Sequence, residues 1–230
     1  MDAEETIKLE GLESDHVKFM KAIVQSMNET PYILKGGTAL MLGYGLDRFS
    51  EDLDFDSTKK INMENKIKKA AGFYFNNIEI DIVKNTDTVQ RYRVGYSCIN
   101  GRRKLKIETS FRQNQINDEH YLQIDGMKIY KIECLLDKKL KAAHDGNNIR
   151  TVVRDLYDIW FIVKRYKENI TNDLFKRLSS FCENIDILNS RYEEAYMNDD
   201  LINSKVKLED LLLGLESEQN NIKKTFLSPI

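Results

Sequence analysis

Proline is nearly missing from this chain, with two in 230 residues, so no proline-rich linker divides it. Cysteine is almost as scarce. Cys98, Cys134 and Cys182 are widely spaced and form no Cys-x-x-Cys pair. That excludes a disulfide framework and a structural zinc site, and it fits a reducing cytoplasm. No run approaches the roughly 18–20 apolar residues that cross a bilayer, so no membrane association is expected. The opening MDAEETIKLEGLESD has neither the basic nor the apolar region of a signal peptide. Charge of one sign is also lacking: 35 Lys and Arg face 37 Asp and Glu, for a net −2. A general nucleic-acid coat protein is thereby excluded, although a local basic face is not.

What is present reads as a folded protein. Hydrophobic residues make up 41% and charged residues 31% of the chain, enough for one sizeable core or two small lobes. Val17 to Met27 has apolar residues at helical spacing. YILKGG follows as a short β-like run ending in two glycines, and TALMLGYGL reads as a helix ending near Gly43 or Gly45. DLDFD reads as a strand, and Lys59 to Ala71 as a basic amphipathic helix. Ile78 to Val83, Tyr92 to Ile99 and Leu105 to Phe111 alternate like half-buried strands. Asn100-Gly101 suits a tight hairpin turn, and a second hairpin spans Tyr121 to Tyr130 around Asp125-Gly126. From there on the pattern is helical, over Cys134 to Ala143, Val152 to Tyr166, Leu174 to Cys182 and Leu208 to Lys224. The expectation is an α+β protein: a mixed-sheet α/β lobe over residues 1–130, then a helical lobe over residues 131–230.

The chemistry concentrates in KGGTALMLGYGLDRFSEDLDFD, residues 35–56. Residues i and i+2 of a strand project from one face, so Asp52 and Asp54 point together while Leu53 and Phe55 enter the core. Two adjacent carboxylates repel, and a divalent cation removes the conflict. Gly36, Gly37 and Thr38 open a helix whose backbone N–H groups suit a phosphate. The best candidate for a third acid on a neighbouring strand is Glu108. It shares a face with Lys106 and Ser110, opposite Leu105, Ile107 and Thr109. Taken singly, Gly-Gly is a turn, Asp-Leu-Asp a solvated strand end, and Glu108 a surface acid. Their order along the chain is what points to metals held beside phosphates.

The string GGTAL…Y…R.S.DLDF, from Gly36 to Phe55, resembles the AbiEii/AbiGii nucleotidyltransferase toxins of the polymerase β-like superfamily. KIECLLDKKLKA at Lys131 to Ala142 is similar to the family's segment carrying Glu133 and Lys139. RDLYDIWFI is similar to its Arg-Asp-Leu-Tyr-Asp motif, at Arg154, Asp155 and Asp158. The resemblance covers about residues 30–165. It implies an N-terminal nucleotidyltransferase lobe, an NTP as substrate, and magnesium or manganese held by Asp52, Asp54 and Glu108. It implies a toxin of a toxin–antitoxin or phage-defence pair, with a tRNA 3′ end as an RNA acceptor. It further implies an antitoxin partner with a winged-helix DNA-binding part.

Other residues take roles within that expectation. Lys139 is a candidate cation for the triphosphate or the transition state. Asp158, with Asp155 close behind, could orient Lys139 or act near the acceptor hydroxyl, although helical acids at this spacing usually make salt bridges. Arg48, with Ser50, could bind phosphate or equally brace the loop, and for Lys35 a phosphate role is the less favoured option. The run RRKLK at Arg102 to Lys106, with Arg91, Tyr92, Arg93 and Tyr96, suits an RNA backbone and stacked bases, or else a charged hairpin edge. Two other functions stay open: transfer to a protein hydroxyl, and a non-catalytic binding module of the same fold.

Overall fold

The computed structural model describes residues 9–227, with side chains to residue 224. The chain divides into two compact units between Lys131 and Ile132.

The first unit begins with α1 (Gly11–Ser26), whose buried face carries His16, Phe19, Met20, Ile23 and Val24. β1 (Ile33–Lys35) leads directly into α2 (Gly36–Tyr44), which stops at Gly45 in the left-handed region, φ +71°. β2 (Leu53–Asp56), α3 (Glu64–Ala71), β3 (Asn76–Asn85), β4 (Val89–Cys98), β5 (Gly101–Ser110), β6 (Tyr121–Ile124) and β7 (Met127–Tyr130) follow. Among the described residues the strands form one sheet in the order β3-β4-β5-β2-β1-β7-β6. β2 runs parallel to β5 and β1 parallel to β7, while the other neighbours are antiparallel. The sheet is therefore mixed, as the alternating segments imply.

The pleat sorts the side chains. On β5, Leu105, Ile107 and Thr109 are buried, whereas Lys104 and Lys106 are exposed and Glu108 half-buried. On β4, Tyr92, Val94 and Tyr96 are buried with them. Phe19 of α1 packs on Phe75 and Tyr96, ring centroids 4.6 and 4.7 Å away. Rings buried this way contribute on the order of 2–3 kcal/mol each, which fixes α1 to one face of the sheet. The other face carries the acids.

Several boundaries differ from the sequence reading, α1 and β4 beginning earlier than expected, at Gly11 and Val89, and two further differences have a local cause. The β4–β5 turn is Ile99-Asn100, because Cys98 pairs with Gly101, which takes φ +133° as the first residue of β5. Helix α3 starts at Glu64 rather than at Lys59. Ser57 Oγ accepts from the Lys59 amide and Asn62 Oδ1 from the Glu64 amide, and these local bonds compete with helix over residues 57–63. The Asp125-Gly126 turn is where it was expected, with φ +50° and +74°.

The second unit is helical. It comprises α4 (Ile132–Leu140), α5 (Val153–Arg165), α6 (Asn172–Phe181), α7 (Ile185–Met197), the short α8 (Asp200–Asn203) and α9 (Leu208–Leu227). Leu136, Leu156, Ile159, Leu178, Leu211 and Leu215 form its core. Helix α4 continues into a π-helical turn, Lys141–Asp145. Gly146 closes this turn so tightly that an added Cβ would stand 2.1 Å from the Lys141 carbonyl oxygen. Among the described residues no helix is long and apolar enough to cross a membrane.

Candidate active site

The first unit's acids are set out by strand register. Lys35 on β1 pairs with Asp54 on β2, Asp54 with Glu108 on β5, and Glu108 with Arg91 on β4. One rung of the sheet thus reads cation, acid, acid, cation across four strands. Asp52 lies two residues before Asp54, on the same side of the strand.

Each charge has a different environment. Asp52 is ion-paired with Lys106. Arg91 donates to a single oxygen of Glu108, Oε2, from Nε at 2.7 Å and from Nη2 at 2.6 Å. Lys35 reaches past Asp54 to Asp56, 2.5 Å away. No ion pair reaches Asp54 among the described residues; its carboxylate lies against Gly36, where an added Cβ would stand 3.3 Å from Oδ2. Burial pushes the Asp54 carboxyl above the usual range; Lys106 and Lys35 pull it back, and Asp52 and Glu108 push it further up. Burial lowers the Lys106 ammonium, but Asp52, Asp54 and Glu108 together leave it above the ordinary lysine value.

The Gly-Gly turn is built to bring two segments close. Gly36 has φ +76°, which glycine adopts without strain. A Cβ on Gly37 would stand 2.5 Å from Arg48 Nη2 and 3.0 Å from Ser50 Oγ. Arg48 is buried and donates to the Phe49 carbonyl, 3.1 Å away. The Thr38 hydroxyl donates to the Asp52 carbonyl at 2.5 Å and lies 2.9 Å from Ser50 Oγ. Thr38, Arg48 and Ser50 therefore lock the loop that delivers Asp52. What Gly36 and Gly37 leave toward an anion is the backbone amides of the α2 start, which has no side-chain cap.

Two residues outside the sequence reading complete the setting. His16, buried on α1, donates from Nε2 to the Glu51 carbonyl at 2.8 Å and accepts at Nδ1 from the Tyr96 hydroxyl at 2.5 Å. A neutral ring satisfies both bonds, and it holds the residue just before Asp52. Burial holds the His16 pKa below the ordinary value against the pull of the Glu51 carbonyl. Its signal in sequence was a polar residue on an apolar helix stripe. Asp56, buried, takes Lys35 and accepts from the Tyr130 hydroxyl at 3.1 Å. Its signal was the third acid of DLDFD.

Among the described residues no three acid, His or Cys side chains stand ready as a metal cage. The donor set still suits a hard divalent cation. Asp54 carries an unneutralised carboxylate beside Glu108, and Asp52 and Glu108 each keep one oxygen clear of their cation.

In the second unit, Lys139 is buried between two acids, 2.6 Å from Asp155 Oδ1 and 2.5 Å from Asp158 Oδ2. Arg150 donates to the other Asp155 oxygen at 2.8 Å. Arg154 instead pairs with Asp199 at 2.7 Å. The structure thus joins Lys139, Asp155 and Asp158 in one buried ion-pair network.

With both clusters described, the likeness to known proteins is decisive. A model of the family described as nucleotidyl transferase AbiEii toxin, type IV TA system, matches residues 18–220. The chain belongs to that AbiEii family. Its members are nucleotidyltransferase toxins of type IV toxin–antitoxin systems, so an antitoxin partner is part of the assignment. The solved structure of JHP933 from Helicobacter pylori is 41% identical and has a TM-score of 0.89, with 95% of this chain and 94% of that one covered. A second H. pylori structure, titled as a candidate nucleotidyltransferase, is 40% identical with a TM-score of 0.89, over 96% and 100%. Comparison with curated proteins gave no match.

The AbiEii sheet corrects one detail of the RNA reading. Tyr92 and Tyr96 are buried, at 1% and 0% exposure, and point into the core, so they present no face for base stacking. Arg91, Arg102, Arg103 and Lys106 are ion-paired with Glu108, Glu79, Glu51 and Asp52. Much of the run behaves as a charged hairpin.

Proposed function

We propose that this AbiEii protein transfers nucleotides from an NTP to an RNA acceptor, with a tRNA 3′ end as the first acceptor to examine, and that it needs magnesium or manganese. The observation that carries the reading is the rung on which Asp54 and Glu108 stand side by side, two residues from Asp52 and against Gly36. Asp52, Asp54 and Glu108 would hold the divalent ion. The ion would polarise the phosphate under attack and neutralise the departing pyrophosphate. The chain's own residues do the rest. The amides that open α2 face the phosphates. Thr38, Arg48, Ser50 and His16 hold the loop and so set where Asp52 points. Arg91 orients Glu108 through one oxygen.

Lys139, Asp155 and Asp158 enter the proposal on the family motif. The ammonium is neutralised by its two acids, so it would meet a phosphate by exchanging one of them. The winged-helix part of the antitoxin and a place in phage defence likewise rest on the resemblance.

The test is incubation with each labelled NTP, magnesium and total tRNA. Label in RNA with wild type and none with D54N supports the reading. Label in protein instead would select a protein hydroxyl as acceptor, and absence of label with every NTP would remove the RNA proposal.

A further inference from the structure

Two of the three candidate metal ligands already carry a cation, and the two cations are of different kinds. Arg91 stands directly across the β4–β5 pair from Glu108 and grips it through two donors of one planar fork. Lys106 is a compact charge on a flexible stem, its side chain 45% exposed. Asp52 is the one partner its ammonium touches among the described residues. Lys106 also shares a strand face with Glu108, two residues away, and its charge acts on Asp54. It can therefore leave Asp52 without breaking another bond.

We propose that Lys106 is the displaceable counter-ion of this acid cluster: it holds Asp52 while no divalent ion is bound, gives way when one binds, and then turns its ammonium to the incoming phosphates. The proposal rests on the metal-dependent reading above. Three carboxylates drawn to one face of a sheet repel one another. A site that empties between turnovers needs a substitute charge, or the acids must protonate or splay apart. Lysine supplies one positive charge to one acid. A divalent ion supplies two and bonds several acids at once, so it wins the exchange. Lys106 thus keeps the empty site intact and, by competing, weakens the binding of metal. Arg91 fixes Glu108 and stays in place.

Calorimetric titration of the intact protein with Mn2+ alone, without nucleotide, tests this. K106Q should bind Mn2+ roughly fivefold tighter than wild type, the gain expected from removing one part-exposed competing pair. K106R, which keeps the charge, and K104Q, on the same strand face with no acid partner among the described residues, should stay within about twofold of wild type. K106Q should also raise the KM for NTP, because the released ammonium is gone. A lysine that merely props Asp52 would give weaker Mn2+ binding in K106Q; that result, or an unchanged affinity, overturns the proposal. D54N separates the two levels of the argument. If D54N loses Mn2+ binding while K106Q matches wild type, only the role of Lys106 falls. If D54N binds Mn2+ as wild type does, the metal centre itself is misplaced and both fall.

Discussion

Asp54 and Glu108 stand directly opposite each other on the parallel strands β2 and β5, with Lys35 and Arg91 at the two ends of the same rung. Both terminal cations are committed, Lys35 to Asp56 and Arg91 to Glu108, which leaves Asp54 without an ion-pair partner among the described residues.

That imbalance makes Asp54 costly to the empty protein. Its folded-state pKa is raised, mainly by burial, so the folded chain holds the proton more tightly than the unfolded one. Stability from this group is present below the unfolded carboxyl value, about 3.9, and is lost as pH rises through the folded value. D54N should therefore melt higher than wild type at neutral pH, by about 2–4 °C for a gain of roughly 1 kcal/mol. It should also lose transfer activity by about a thousandfold or more. Melting without added metal, together with turnover, checks the pair of effects; a lower melting temperature contradicts the account of Asp54.

His16 carries a pH dependence of its own. Burial depresses its folded pKa, so the unfolded state takes the proton first. The contribution of His16 to stability should be full and independent of pH above about pH 6.5 and should fall as pH drops from there toward the folded value. H16Q, melted between about pH 5 and 7.5, should be less stable throughout, with a shallower slope over that range. An unchanged slope would show that another group titrates there.

The buried network around Lys139 predicts a structural cost separate from chemistry. K139M leaves Asp155 and Asp158 buried with one less cation and should destabilise the protein by about 3–5 kcal/mol. K139M/D158L, which removes an opposing charge pair, should regain a large part of that. Denaturant unfolding measures both. Equal stability of K139M and wild type would mean that the pair is not held as described.

Gly37 reports on the loop lock. G37A places a methyl 2.5 Å from Arg48 Nη2, so the guanidinium must move and the Asp52 loop with it. A cost of about 1–3 kcal/mol is expected, together with a larger relative loss of activity than of stability. Ala at Gly126, where no atom lies within 4 Å, serves as a control that touches stability alone.

Much of this site was legible before any coordinates. The i, i+2 spacing of Asp52 and Asp54 and the alternation around Glu108 fix which side chains share a face, because the pleat has a period of two. The two glycines mark where the chain turns close to other groups, and there an added Cβ would press on Asp54, Arg48 and Ser50. The identity of the cations was not legible. Which lysine meets which acid depends on register between strands far apart in sequence, and so Lys35 with Asp56, Lys106 with Asp52 and Arg91 with Glu108 emerged only with the sheet. Tyr92 and Tyr96 show the converse error. Their nearness to arginines in sequence suggested a stacking surface, but strand alternation turns them to the opposite face. His16 escaped notice because a histidine on an apolar stripe declares its partners only when Glu51 and Tyr96 are brought to it. Helix α7 was missed because it buries only Leu188 and Tyr192 and so shows little apolar periodicity, and α8 because it is four residues long.

The most direct test of the central claim is diffraction at the manganese edge from crystals holding Mn2+ and a non-hydrolysable NTP. The account predicts an anomalous peak bound by Asp54 with Asp52 or Glu108, Lys106 withdrawn from Asp52, and the triphosphate on the amides at Gly36 and Gly37. A triphosphate bound elsewhere, or manganese that ignores these three acids, would contradict it.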